Sequence, residues 1–327
     1  MILVTGASGY VGNNLVRRLV QRGKPVRAMV GHIDKAMQRL ADVEPHIEIV
    51  QGDVTRPEAV DEWMQGVEAV IHLAAIAVEK GKRTYEAVNI QGTINVVESA
   101  KKAGIRRFLN MCQAGATAQI PYRFLRSKGI AQAYVAASGL QWTAFRPSAI
   151  FGPEDEFANV QARLIKLTPI VFPIVGDGNA RFQPVYVGDV AEAFVRALDD
   201  ETTIGQEYEL GGPEVLTYIE IVRRVLKALH TRRALVKVPL AVLRPAVLIM
   251  QRVLPNPPVT TSLLDLLAVP NVVQNNALIS KFGITPKAFV PSNLEYMRNF
   301  NSRTTLAKFF GRASEEEKTR QVAAAAK

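Results

Sequence analysis

The chain begins Met1-Ile-Leu-Val-Thr-Gly-Ala-Ser-Gly-Tyr-Val-Gly12, an apolar run that breaks into spaced glycines, and continues Asn13-Asn-Leu-Val-Arg-Arg-Leu-Val-Gln-Arg-Gly23. Ile2, Leu3 and Val4 suit a buried parallel strand, while Leu15, Val16, Leu19 and Val20 recur at helical spacing until Gly23 stops the pattern. Between strand and helix, Gly6 permits a tight turn, Gly9 lets backbone approach a pyrophosphate, and Gly12 lets the helix pack closely on the strand. The helix N-terminus adds backbone N–H groups and partial positive charge. This order predicts a dinucleotide site built from Thr5, Gly6, Ser8, Gly9, Tyr10, Val11 and Gly12. Glycines that serve packing alone are the plainer alternative.

At 327 residues the chain can bury a sizeable core in one large or two modest domains. No apolar run is long enough to cross a bilayer, and the N-terminus enters a strand without a cleavable signal pattern. The expectation is a cytoplasmic protein, with a peripheral place on the inner membrane face as the variant of that reading. A single cysteine, Cys112, excludes an internal disulfide and a cysteine metal cluster. His32, His46, His72 and His230 have no metal-site spacing, so no metal is predicted.

Strand and helix patterns alternate well past the halfway point. Strands are read at 25–30, 47–54, 67–75, 107–111 and 140–147, with helices at 35–41 and 85–103, the latter stopped by Gly104. This alternation predicts an α/β, Rossmann-type doubly wound parallel sheet over residues 1–150. Beyond Phe151-Gly-Pro153 the rhythm loosens into shorter, proline-punctuated pieces, read as a smaller mixed substrate-binding or partner-binding region over 151–300. Asp189–Leu198 reads as a helix returning to the first domain, so 184–200 is expected to pack back on it. The tail 301–327 has too little apolar content for a core and is expected to be exposed or disordered.

The end of the second strand selects the cofactor: an acid there takes the ribose hydroxyls of NAD, whereas a basic residue accommodates the phosphate of NADP. Here stand Gly31 and His32, with Lys35 close behind and no acid, so the reading leans to NADP(H) over NAD(H). Asp53 and Val54, closing the third strand, suit an adenine edge. Leu73, Ala74 and Ala75, closing the fourth, are small enough for backbone to approach a ribose. Ordinary strand packing is the alternative for each.

Several phrases together resemble the extended, atypical branch of the short-chain dehydrogenase/reductase superfamily. They are Thr5-Gly-Ala-Ser-Gly-Tyr-Val-Gly12, Gly52-Asp-Val54, His72-Leu-Ala-Ala75, Val88-Asn-Ile-Gln-Gly-Thr-Ile-Asn-Val-Val97, Arg146-Pro-Ser-Ala-Ile-Phe-Gly-Pro153 and Pro184-Val-Tyr-Val-Gly-Asp-Val190. Within it, residues 146–155, 208–217, 271–273 and 282–286 look most like the group of NAD-dependent epimerase/dehydratase-like proteins that contains the nucleotide-binding accessory subunit of respiratory complex I and its bacterial relatives. The resemblance implies a tightly held NADPH without demonstrated turnover. It also implies cofactor contacts from Asn89, Lys128, Pro147, Ser148 and Ile150.

Active members use a serine, then a tyrosine followed four residues later by a lysine. The phenol passes a proton to or from a substrate oxygen, the lysine lowers its pKa and grips the nicotinamide ribose, and the serine orients the substrate. Lys128 fits the lysine, but Phe124 stands where the tyrosine belongs and Cys112 falls on the serine. Tyr122 lies two residues upstream, turned roughly 200° away from Phe124 on a regular helix; it reaches inward only if the preceding segment is irregular. Cys112 reads as a small buried filler rather than a nucleophile.

Charge supplies the last signal. The net charge is +10, and from Leu216 to Leu254 Arg223, Arg224, Lys227, Arg232, Arg233, Lys237, Arg244 and Arg252 face Glu220 alone. The apolar stretch 239–254, with Pro245 tolerable near a start or kink, is expected to form a helix covering the core of the second region. Docking of segment 223–252 on anionic lipid or a larger complex is the alternative. Nucleic acid is disfavoured, because the block lacks interleaved aromatics. The chain thus reads as a nucleotide-binding protein with a structural, assembly or sensing role near a respiratory-type membrane complex. An active NADP-dependent oxidoreductase, epimerase or dehydratase with a non-standard proton donor is the competing reading.

Overall fold

The computed structural model describes residues 1–267 and 269–310, which divide into two compact units. The first comprises Met1–Pro147, Val187–Leu210 and Val273–Pro286; the second comprises Ser148–Tyr186, Gly211–Val272 and the described residues from Lys287 onward.

Six strands of the first unit are β1 (Ile2–Thr5), β2 (Val26–Val30), β3 (Ile47–Gln51), β4 (Ala69–His72), β5 (Arg107–Met111) and β6 (Gln141–Pro147). With strand Gln206–Leu210 they form one all-parallel sheet in the order 206–210, β6, β5, β4, β1, β2, β3. The order reverses at β1, so the carboxyl ends of β1 and β4 flank the crevice where doubly wound sheets take their ligands. Helices α1 (Tyr10–Gln21), α2 (Ile33–Arg39), α3 (Pro57–Asp61), α4 (Gly92–Lys102) and α5 (Arg123–Ala137) make the crossovers. Leu3, Val70, Val96, Val97 and Phe108 are buried in one core cluster, as strands covered on both faces require. Helix Val187–Leu198 packs in this unit against α1 through the buried Glu192, which accepts from Arg18 (2.6 Å), Arg22 (2.6 Å) and Arg196 (2.8 Å).

Local departures from the expected elements have polar causes. The third strand stops at Gln51 rather than running to Val54, because the Asp53 carboxylate turns the chain by accepting from the backbone and hydroxyl of Thr55. The fourth stops at His72: the Leu73 N–H is shared between the Thr5 carbonyl (3.2 Å) and hydroxyl (3.3 Å), and the Ala74 N–H reaches that hydroxyl (3.4 Å). The helix expected over 85–103 opens as a wide π-type turn, Glu86–Gln91, before α4 begins at Gly92. Such turns recur at functional sites.

In the second unit, Phe151, Phe172, Phe182, Tyr218, Ile221 and Val225 form the core. Helix Tyr218–Ala228 begins with a capping box of Thr217 and Glu220. Helix Leu240–Val253 forms with Pro245 inside it. It does not cover the core as expected: Val247 is its single buried residue, and Val242, Leu248, Ile249 and Val253 are exposed. The tail was expected to be exposed or disordered, and most described residues from 301 to 310 are exposed. Ser302–Phe309 is helical, because Thr305 and Phe309, four residues apart, both find a buried place. The rest of that tail, from residue 311, lies outside the described residues.

Candidate functional site

The glycine turn is set by backbone proximity. Gly6 has φ 70, and a side chain there would stand 2.8 Å from the Ala74 nitrogen, so the ends of β1 and β4 meet closely. A Cβ on Gly12 would lie 2.2 Å from the Gly6 carbonyl oxygen, so α1 rests against the turn itself. Gly9 is exposed, donates its N–H to the Gly6 carbonyl (2.9 Å) and is the first cap of α1. No side chain caps this helix and no acid lies in its first turn. A helix end that carries partial positive charge, fronted by glycine and free of any carboxylate, is a cradle for an anionic group.

A chain of hydrogen bonds runs from this turn to α5. Thr5 is in register with His72. The Thr5 hydroxyl lies 2.8 Å from His72 Nδ1, and His72 Nε2 lies 3.0 Å from the Thr93 hydroxyl. The Thr93 proton goes to the Asn89 carbonyl (2.7 Å), so Thr93 accepts from Nε2–H and Nδ1 accepts from Thr5. Burial, assisted by the nearby Lys128 ammonium, lowers the His72 pKa to about 3, so the ring is neutral. The Asn89 carboxamide then holds both the N–H (2.8 Å) and C=O (3.0 Å) of Ile76 and donates to Ser127 Oγ (3.0 Å), which donates to the Phe124 carbonyl (2.7 Å).

Next to Ser127 stands Lys128, 5% exposed. Among the described residues its ammonium forms no ion pair, and burial lowers its pKa. A buried cation needs a partner; ribose hydroxyls fit that need. Phe124, one helical turn before it, is half-buried with its ring centroid 5.8 Å from that of Tyr85. The Tyr85 hydroxyl donates to the Ala77 carbonyl (2.7 Å). Cys112 is buried, its Sγ 3.6 Å from the Lys128 carbonyl, and burial pushes its thiol pKa up. Tyr122 lies just before α5 in extended backbone, half-buried, and its hydroxyl bonds to no described residue.

The other expected contacts are distributed as follows. His32 is the exposed first cap of α2. Asp53 sits beside Arg83 (3.8 Å); burial alone would raise its pKa, but the two Thr55 bonds together with the Arg83 and Arg56 charges outweigh this and hold it below its ordinary range. Val54 is buried, with its carbonyl bound by Asn95 (2.8 Å). Tyr10, Val11 and Gly12 open α1, and Leu73, Ala74 and Ala75 follow β4 beside Thr5. Pro147 ends β6, its carbonyl accepting from Ala114 (2.9 Å). Ser148 and Ile150 belong to the second unit, where Ser148 is buried and donates its hydroxyl to the Gln183 carbonyl.

One basic residue escaped the sequence reading. Arg39, at the end of α2, donates from Nη1 to the Ser8 carbonyl (2.7 Å), which puts a guanidinium on the rim of the glycine turn. Arg17 fixes that helix end by donating to the Arg39 carbonyl (2.6 Å) and pairing with Asp42 (2.7 Å). The helical spacing from His32 was the available signal, but only folding brings residue 39 back to residue 8.

Glycine turn, sheet order and buried lysine together define a dinucleotide-binding protein. The chain belongs to the NAD(P)H-binding family, whose pattern matches residues 6–201. It resembles the extended short-chain dehydrogenase/reductase proteins, among them the accessory subunit of complex I. It is 32% identical over 244 residues to NADH dehydrogenase [ubiquinone] 1 alpha subcomplex subunit 9, mitochondrial, of Arabidopsis thaliana; the match covers 72% of this chain and 60% of that relative's length. It is 29% identical over 263 residues to a 3 beta-hydroxysteroid dehydrogenase/Delta 5-->4-isomerase of Mycobacterium tuberculosis, covering 71% and 70%. Among solved structures, UDP-glucuronic acid 4-epimerase from Bacillus cereus, in complex with UDP-glucuronic acid and NAD, superposes with a TM-score of 0.69 at 18% identity, covering 91% of this chain and 98% of that one.

Proposed function

We propose that this protein holds NADP(H) as a structural, assembly or sensing ligand, with an impaired acid/base centre, in or near a respiratory-type membrane assembly. The observation that carries this reading is the pairing of a retained, buried Lys128 with a phenylalanine four residues earlier. In this reading the glycine turn and α1 hold the pyrophosphate, Asp53 and Val54 border the adenine, and Lys128 grips the nicotinamide ribose. Arg39, His32 and Lys35, with no acid at the end of β2, favour the phosphorylated ribose of NADP(H). When bound, the nicotinamide supplies hydride donation or acceptance at a carbonyl carbon. This chain's residues then orient the ring, but Phe124 offers no proton to a substrate oxygen and the Cys112 thiol is a weak donor. Loss of a positioned acid costs on the order of a hundredfold to ten-thousandfold in rate. The assembly role draws support from the likeness to a subunit of NADH dehydrogenase.

The test is to identify nucleotide released from the purified full chain and to follow NADPH consumption across a carbonyl panel. Bound NADPH without consumption supports the reading; rapid oxidation with one substrate overturns it. A sensing role further requires unequal affinities for NADP⁺ and NADPH, and equal dissociation constants remove it.

A second reading, an active reductase, epimerase or dehydratase, is favoured by the extended backbone at Tyr122, which frees that hydroxyl from the helix, and by the likeness to a hydroxysteroid dehydrogenase. Once a substrate is found, Tyr122→Phe decides whether that phenol is the acid.

A further inference from the structure

Helix Leu240–Val253 in the second unit is turned the wrong way for a core element. Its inward side is marked by Val247, 6% exposed. Val242, Ile249 and Val253, spaced by seven and four, make one stripe at helical periodicity, and they are 62%, 65% and 69% exposed. Leu248 is exposed beside them, and Ala246 completes the stripe without a polar atom.

Along the chain, the charge from residue 221 to residue 264 has one sign. No Asp or Glu occurs between Glu220 and Asp265, while eight arginines and lysines do. Arg224 is taken by Glu214, Arg244 by Asp265, and Arg233 by the Thr168 carbonyl. Among the described residues, Arg232, Lys237 and Arg252 form no ion pair within 4 Å, although the Asp177 carboxylate feels the Lys237 charge, and all three are exposed, as is Val236 on the strand Ala234–Val238.

From this juxtaposition we infer that helix Leu240–Val253 is an in-plane anchor for an anionic phospholipid bilayer. Its Val242–Ile249–Val253 stripe lies among the acyl chains, and Arg232, Lys237 and Arg252 meet the lipid phosphates. The helix has 14 residues, and no helix among those described is long and apolar enough to cross a membrane, so the contact is with one leaflet. A protein partner is the weaker fit, because interfaces place about one hydrogen bond per 100–200 Å² and this stripe offers none. The inference concerns the second unit alone and stands whether or not the dinucleotide reading does.

The experiment is flotation of the full chain with phosphatidylcholine vesicles, with and without about a third phosphatidylglycerol, at low and high salt. The chain is expected to float with the anionic vesicles only, and to be released by salt. Replacing Arg232, Lys237 and Arg252 together by Gln lowers partition on the order of a hundredfold. Val242→Ser, Ile249→Ser and Val253→Ser together abolish flotation, while the unfolding midpoint stays at the wild-type value, since these side chains are already in water. Failure to float with anionic vesicles at low salt overturns the inference. So does equal binding to neutral vesicles, or flotation that neither triple variant changes.

Discussion

The Asn89 carboxamide donates to the Ser127 hydroxyl across 3.0 Å, joining the wide turn before α4 to the residue that precedes Lys128. The same carboxamide holds both backbone groups of Ile76, just past β4. One side chain therefore fixes the sheet edge of the cleft against the helix that carries its buried cation.

Asn89→Ala leaves the Ile76 groups and Ser127 without these partners. The expected cost is about 2–4 kcal/mol of unfolding free energy, with nucleotide affinity falling about tenfold as Lys128 loses its support. Urea denaturation and nucleotide titration measure the two effects. A stability change without an affinity change would show that Asn89 does not position Lys128.

Phe124→Tyr restores a phenol one turn before Lys128. NADPH oxidation with carbonyl substrates should rise on the order of a hundredfold over the wild-type background, followed by loss of cofactor absorbance. Adding Cys112→Ser should raise it further. No gain in either variant would place the defect elsewhere.

Gly12→Ala forces a methyl to 2.2 Å from the Gly6 carbonyl oxygen and 2.9 Å from Ala7 backbone atoms. The turn must open, at a cost of about 1–3 kcal/mol, and dinucleotide binding should be lost. Gly31→Ala is the control, since its methyl meets nothing within 4 Å. It should stay within about 0.5 kcal/mol of wild type. Equal effects at the two positions would contradict the packing account.

His72 titrates near 3 when folded against an ordinary 6.5, because burial and then Lys128 disfavour its charge. The unfolded chain binds the proton that the folded chain refuses. Its contribution is therefore fully present above pH 6.5 and is lost as the pH falls toward 3. The stability difference between wild type and His72→Gln should shrink by up to about 1.4 kcal/mol per pH unit below 6.5. Unfolding free energies measured from pH 7.5 downward check this, and a difference independent of pH would refute the neutral, buried ring.

Much of the first unit was legible because its signals are local. A strand, its glycines and the helix that follows all lie within 23 residues, and short apolar runs that alternate with helical patterns suit strands in a sheet covered on both faces. The place of Phe124, four residues before Lys128, was likewise plain from the sequence. The relay through Thr5, His72, Thr93, Asn89 and Ser127 was not, since all its links but Thr93–Asn89 join residues more than twenty apart and each member reads locally as ordinary strand or helix packing. Arg39 was missed for the same reason.

By itself the sequence determined the doubly wound sheet, the glycine turn and the phenylalanine four residues before Lys128, because each rests on residue type and near-neighbour spacing. Tertiary structure alone decided how the cleft is braced and which way helix Leu240–Val253 faces. An apolar stripe has the same periodicity whether it meets a core or water, and only the packing of the rest of the chain determines which of the two it meets.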